Sequence, residues 1–179
     1  MKRQPHRDES DPASDGSPEQ DLPDPRFTAD ANLGRLVTWM RILGYDTKSE
    51  RGEADRQFLQ RAREEGRVVL TRKRGMAGRQ FAGRMLVIAA DCVPQQLDEV
   101  IERLNLNPAP ERFFSRCLRC NRMLEKVERG DVESRGPAYV YRNAADFRRC
   151  PECRRVYWPG THGENARRFL RRRIPGHPP

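Results

Sequence analysis

The stretch RFTADANLGRLVTWMRILGYDTK, residues 26–48, decides the fold. Its first four residues form a short strand candidate with Phe27 inward. Asp30 follows at once. Leu33, Leu36, Val37, Met40 and Leu43 then recur at helical spacing and share one face. Asp30 or Asn32 can cap that helix, and Gly44 suits the left-handed residue that ends it. Residues 45–48 read as a second strand. Strand, helix, strand over so short a span is the opening of a parallel crossover unit.

The pattern continues downstream. Residues 53–65 predict a second helix, with Phe58, Leu59 and Ala62 inward and Gly66 as its stop. Residues 67–71 form a strand, and 72–83 a glycine- and arginine-rich connection with room for a short helix. Residues 84–89 are the clearest buried strand, MLVIA being apolar throughout as central parallel strands are. Pro94 suits the first turn of a helix reaching Leu104, with Leu97, Val100, Ile101 and Leu104 inward. The fold class is α/β, a parallel sheet covered by helices over residues 25–107. Residues 108–114, with Pro108 and Pro110, read as a linker, and residues 1–24 and 175–179 as disordered ends.

Beyond the linker the logic changes from core to metal. Cys117-x2-Cys120 and Cys150-x2-Cys153 are separated by 29 residues. Two such pairs can surround one tetrahedral Zn2+, each turn directing both sulfurs inward. Residues 115–174 hold too few apolar side chains to fold unaided, so a structural zinc ion would supply much of the folding free energy. Two disulfides, or four ordinary buried thiols, are the other readings of the same spacing. Strands are expected near residues 124–127 and 138–141. Thr161 and Glu164 predict a capping box for a last helix through Arg173. Cys92 stands apart in an apolar context and reads as a buried or subsurface thiol.

Charge narrows the partners. The formal net charge is +9, yet residues 1–24 hold three basic and seven acidic residues, leaving about +13 on the remainder. From Ser115 onward, 16 arginines and lysines face seven acids. Such a field favours a polyanion, RNA above all. Arg148, Arg149, Arg154 and Arg155 flank the second cysteine pair, with Tyr157 and Trp158 behind them. Arg167, Arg168, Arg171 and Arg172 stud the last helix, and Arg173 ends it. Guanidinium groups hold phosphates while a ring stacks on a base; a solvated helix and packed rings are the alternative. No run is long enough to cross a bilayer and residues 1–16 lack an apolar leader core, which predicts a cytoplasmic protein without membrane partners. Nothing identifies a protein partner.

Three aspartates are the candidate acids. Asp30 follows the first strand, Asp91 follows the MLVIA strand, and Asp55 opens the second helix. In parallel α/β sheets the usable crevice lies beyond the carboxyl ends of the strands. Carboxylates gathered there would need Mg2+ or Mn2+ between them, an arrangement that activates water against a phosphodiester. Arg72 and Lys73, after the third strand, can stabilise developing negative charge. Each aspartate has a structural alternative as a helix cap.

The motifs in order carry a resemblance. RFTADANLGRL at residues 26–36 and WMRILGYD at 39–46 are followed by AREEGR at 62–67 and LTR at 70–72. SRCLRCN at 115–121, CPEC at 150–153 and RVYWPGTH at 155–162 complete the series. Together they resemble the PIN-like ribonuclease family, in the branch whose domain also ends mut-seven-type exonucleases and often carries a C-terminal zinc ribbon. The resemblance spans residues 26 to about 170. It implies a PIN-like three-layer fold and ribonuclease activity, with Asp30 as the first-strand carboxylate and Asp55 as its helical partner. One position departs from the pattern: the family has threonine-arginine-aspartate after the third strand, and here the sequence is Thr71-Arg72-Lys73. The resemblance therefore admits a metal-dependent ribonuclease, or an RNA-binding relative whose pocket no longer holds its ion. A protein-interaction adaptor built on the cysteine module is the third class.

Overall fold

The computed structural model describes residues 25–50, 52, 55–76, 78–132 and 146–174. The two termini expected to be disordered and the strand expected near 138–141 lie outside these residues. A four-stranded sheet runs β2-β1-β3-β4, with every neighbouring pair parallel. Its strands are β1 (Arg26–Ala29), β2 (Thr47–Ser49), β3 (Arg67–Thr71) and β4 (Met85–Val87). The helices α1 (Gly34–Ile42), α2 (Arg56–Glu64) and α3 (Val93–Arg103) connect or follow them.

Alternation along β1 and β3 sorts the apolar side chains to two sides. Phe27, Ala29, Val68 and Leu70 join Leu36, Val37 and Met40 of α1 and Leu97 and Val100 of α3 in one cluster. Val69, pointing the other way, packs with Phe58, Leu59 and Ala62 of α2 and with Met76. Burying a side chain such as Phe27 or Phe58 contributes about 1.5–3 kcal/mol. Gly44 (φ +92°) and Gly66 (φ +60°) take the left-handed conformations that end α1 and α2. Gly44 also leaves room for Arg112: a Cβ there would lie 2.6 Å from the Arg112 carbonyl oxygen.

The order of strands is itself informative. From β1 the chain crosses to β2 on one side and then returns to β3 on the other. The topological switch point therefore lies between β1 and β3, at their carboxyl ends.

A second, antiparallel sheet joins β5 (Glu125–Val127), β6 (Phe147–Arg149) and β7 (Val156–Tyr157). Val132 and Phe147 form its small buried cluster. Helix α4 (Thr161–Arg171) follows. Its Leu170, together with Ile174, is buried in the α1–α3 cluster, and the Phe169 ring lies 4.5 Å from that of Trp39.

Several local expectations are corrected. Thr161 is the first residue of α4, and Gly160 holds the cap position with no side-chain hydrogen bond, so Thr161 and Glu164 make no capping box. Cys92 is exposed because it sits at the turn from β4 into α3, outside the core. Asp30 caps the short 3-10 turn Ala31–Leu33, while α1 itself starts without a side-chain cap. β2 begins at Thr47: the Tyr45 N–H still bonds back to the Met40 carbonyl of α1, and Asp46 already offers its carbonyl to the Phe27 N–H of β1.

Candidate active site and metal centre

Asp30 sits at the switch point. It is 2% exposed, and its carboxylate is held entirely by neutral donors. Oδ1 accepts from the Asn32 N–H at 3.0 Å. Oδ2 accepts from the Thr71 hydroxyl at 2.6 Å and from the Arg72 N–H at 3.1 Å. A carboxylate has about four lone-pair sites, so these three bonds fix its orientation and leave one acceptor position. The carboxyl end of β3 is thus tied side chain to side chain to the carboxyl end of β1.

The other acids lie apart from it. Asp55 caps α2, accepting from the Phe58 N–H at 2.8 Å, and this backbone bond holds its carboxyl below the usual range. Asp91 is 91% exposed and pairs with the guanidinium of Arg72. Lys73 donates its backbone N–H to the Thr71 hydroxyl at 3.1 Å, and forms no ion pair with Asp30. Among the described residues, the group of cysteines, histidines and carboxylates whose ligand atoms converge is made of cysteines. Asp30, Asp55 and Asp91 do not belong to that group.

The cysteines do fit a metal. The ligand atoms of Cys117, Cys120, Cys150 and Cys153 all lie within 4.8 Å of one another, and the Cys117 and Cys153 sulfurs are 3.7 Å apart. A tetrahedron with Zn–S of about 2.3 Å has edges of about 3.8 Å. Cys117 and Cys150 are buried, Cys120 and Cys153 partly so. Burial opposes ionisation of Cys117. Hydrogen bonds from the Tyr157 hydroxyl and the Cys120 and Arg119 N–H groups outweigh it and bring its pKa to about 6. Burial first, then the neighbouring thiols, pushes Cys120 and Cys150 up. A divalent cation would offset the burial and the neighbouring thiols that hold Cys120 and Cys150 up, since zinc binds cysteines as thiolates.

Tyr157 belongs to this centre. Its hydroxyl lies 3.2 Å from the Cys117 sulfur and 3.1 Å from the Leu118 nitrogen, which donates to it. Trp158, by contrast, is 39% exposed.

Comparison with known proteins now bears on these two centres. Residues 25–170 match the family described as the Mut7-C RNAse domain. The chain belongs to that family. A relative is the human protein named "Exonuclease mut-7 homolog", 34% identical over 106 residues. That alignment covers 54% of this chain and 12% of the human protein, so the chain spans about an eighth of its relative. No solved structure matches.

In this Mut7-C domain the cysteine module docks at the amino ends of the strands, opposite Asp30. Arg41, 8% exposed, donates Nε to the Thr47 carbonyl at 2.9 Å and Nη1 to the Leu118 and Arg119 carbonyls at 2.8 and 3.1 Å. Arg116 reaches the Gly44 carbonyl at 2.8 Å, and the Phe114 N–H reaches the Ile42 carbonyl at 2.8 Å. Arginines at a helix end hidden under a cysteine turn carry no sequence signal of their own, and Arg41 was legible only as part of a motif.

The arginines expected to meet RNA are spread over both ends. Arg154 and Arg155 are exposed beside the second cysteine pair, and Arg148 pairs with Asp146 at 3.4 Å. Arg149 lies partly buried in β6. Along α4, Arg168, Arg171 and Arg172 are exposed, and Arg167 stacks on Phe114. Arg173 pairs with Asp98 of α3, so α4 runs from the cysteine module toward the end of the sheet that carries Asp91. Among the described residues no helix is long and apolar enough to cross a membrane.

Proposed function

We propose that this domain is a ribonuclease that hydrolyses RNA phosphodiester bonds in the crevice at the carboxyl ends of β1 and β3. The observation that carries this reading is Asp30, a buried carboxylate at the switch point of a Mut7-C RNAse domain, pinned by neutral donors with one acceptor position left. In that position Asp30 orients an attacking water and takes its proton. Arg72, and Lys73 next to it, supply positive charge to the phosphate as its negative charge grows. The Mg2+ or Mn2+ dependence expected from the family would require Asp55 or Asp91 to leave their present partners. The PIN-like three-layer architecture is part of the same reading, supported by apolar clusters on the two sides of the sheet. The four cysteines hold a structural Zn2+, with the basic module and α4 as the RNA-gripping surface, and the protein works in the cytoplasm.

A second reading has its own observation. Arg72 is paired with Asp91, and Lys73 stands where the family pattern has an aspartate. A crevice with two cations at the third strand suits a phosphate that is gripped and not cut.

Purified zinc-loaded protein is incubated with a pool of single-stranded and hairpin RNAs with and without Mn2+, beside Asp30→Asn. Cleavage that disappears in the variant supports the nuclease. Salt-sensitive binding without cleavage supports the second reading, and absence of both overturns the two together.

A further inference from the structure

Between the cysteine module, the end of α1 and the start of α4 lies a cavity of about 270 Å³. Its walls are mainly apolar and aromatic: Ile42, Phe113, Phe114, Tyr157 and Trp158, with Pro159 at one side. Four polar side chains reach it: Asp146, Arg148, His162 and Arg167. Resting on the reading that this domain acts on RNA, we propose that the cavity seats one unpaired nucleobase of a single-stranded RNA.

Three observations converge on that occupant. The first is size and lining. The volume lies just below the usual range for small-molecule sites, about 300–1,000 Å³, and aromatic walls suit a flat heterocycle. Tyr157 cannot swing out to serve a base, because its hydroxyl is held by Cys117 and Leu118. Trp158 is the exposed ring and is the stacking partner.

The second is charge. Two arginines border an apolar hole, Arg148 in β6 and Arg167 in α4, so a ligand with a planar apolar face and an anionic backbone matches both features. The carboxylate of Asp146 offers an acceptor to the N–H groups of a base edge. Arg148, beside Asp146, and Arg167, over Phe114, each keep N–H donors for a backbone phosphate, which an apolar peptide does not offer.

The third is backbone strain. Phe114 adopts φ +59°, a conformation that bulky residues avoid, and its N–H is locked onto the Ile42 carbonyl. The consequence is that its ring lies at the cavity with the Arg167 guanidinium 4.5 Å above it. Strain held at a lining residue points to use of the cavity.

The placement also gives the strand a direction. The cavity is at the Ile42 end of α1, and Asp30 is beyond the other end. A nine-residue helix spans about 13 Å. From the cavity, α4 carries exposed Arg168, Arg171 and Arg172 to the Asp98 side of α3, whose first turn follows Asp91. A base held in the cavity would therefore anchor a strand whose backbone runs along α4 toward the crevice.

The test uses the zinc-loaded 179-residue chain and two probes of equal length. One is a short single-stranded RNA containing 2-aminopurine, and the other is a fully abasic ribose-phosphate strand. Affinity is read by anisotropy and stacking by quenching of the 2-aminopurine emission. Wild type is expected to bind the RNA roughly tenfold more tightly than the abasic strand. Trp158→Ala should lose that preference and the quenching while still binding both strands by charge. Gly163→Leu is the second variant: a Cβ there meets nothing closer than the Arg167 guanidinium at 3.6 Å, and leucine raises helix propensity. It fills the cavity without emptying the core, so its melting midpoint should hold while the base preference disappears. Equal affinity of wild type for the two strands, or an undiminished preference in Gly163→Leu, overturns the proposal and leaves RNA binding intact. Failure to bind either strand overturns it together with the RNA reading on which it rests.

Discussion

The side-chain amide of Asn121 donates to Oδ1 of Asp46 at 2.7 Å, joining the first cysteine turn to the amino edge of the parallel sheet. The same side chain accepts from the Thr47 N–H at 3.1 Å, so it satisfies a backbone donor at the start of β2. Asn121 has φ +67°, a conformation glycine adopts freely. Asn121→Gly therefore removes the two hydrogen bonds with little backbone penalty. Leaving the Thr47 amide without its partner should cost about 1–3 kcal/mol, read as a lower midpoint in urea or heat with zinc bound. An unchanged midpoint would show that the two parts of the chain are energetically independent.

Metal removal should be felt across that junction. Chelation releases the cysteine turns that present Asn121 to Thr47 and the Leu118 and Arg119 carbonyls to Arg41. Hydrogen exchange at the Thr47 amide should rise on chelation toward that of a locally unfolded segment, and zinc should restore protection. Protection that survives chelation would mean that the turns hold their shape without metal.

Asp46 gives the junction a pH dependence. Burial raises its pKa, but hydrogen bonds from Arg67 and Asn121 outweigh burial and set it below the ordinary value of 3.8. A depressed carboxyl contributes stability that is complete above the unfolded pKa and is lost as pH falls through the folded one. Wild-type stability should thus decline below about pH 4 more steeply than that of Asp46→Asn. Parallel curves would remove Asp46 as a contributor.

The legible parts of this fold were those where burial and periodicity act together. β3 is buried at every position, and its bounds coincide with residues 67–71 as read from RVVLT. The glycines at 44 and 66 mark real left-handed stops. The four cysteines converge as their spacing implies. What periodicity could not show was how the pieces meet. β6 (FRR) and β7 (VY) are strands of three and two residues, held by pairing around the cysteine turns and too short to carry an alternation to read. Asp30 was legible by position, but its three neutral partners were not, because Thr71 and the Arg72 N–H arrive from another strand. Asp55 and Asp91 were candidate acids beside it in sequence, and the geometry separates an exposed cap and an exposed ion pair from a buried carboxylate.

Helix α4 was read from an expected capping box and its surface from its arginines, while its energetic role rests on its few apolar residues. Leu170 is fully buried among side chains of the α1–α3 cluster. Leu170→Ala should destabilise the parallel-sheet core by about 2–5 kcal/mol, the range for a buried leucine. Arg171→Ala, at an exposed position next to it, should stay within about 0.5 kcal/mol. Measuring both by denaturant unfolding separates packing from charge. A small effect at Leu170 would show that α4 can leave the core at little cost.

Lys73 is the residue whose replacement bears most directly on activity. Its N–H binds the Thr71 hydroxyl, and that hydroxyl donates to Asp30, so position 73 is two hydrogen bonds from the buried carboxylate. Lys73→Asp exchanges a cation for an anion beside Asp30. If the crevice is that of a nuclease short of an acid, Mn2+-stimulated cleavage should rise by tenfold or more, since a change of about 1.4 kcal/mol in barrier is tenfold in rate. Lys73→Ala, which removes the cation without adding a ligand, should raise it less. RNA binding at low salt should weaken in both variants, because one phosphate partner is gone. Cleavage that stays flat in Lys73→Asp while binding weakens would assign the lysine to gripping phosphate. The crevice would then belong to an RNA-binding domain in which Asp30 serves to brace β1 against β3.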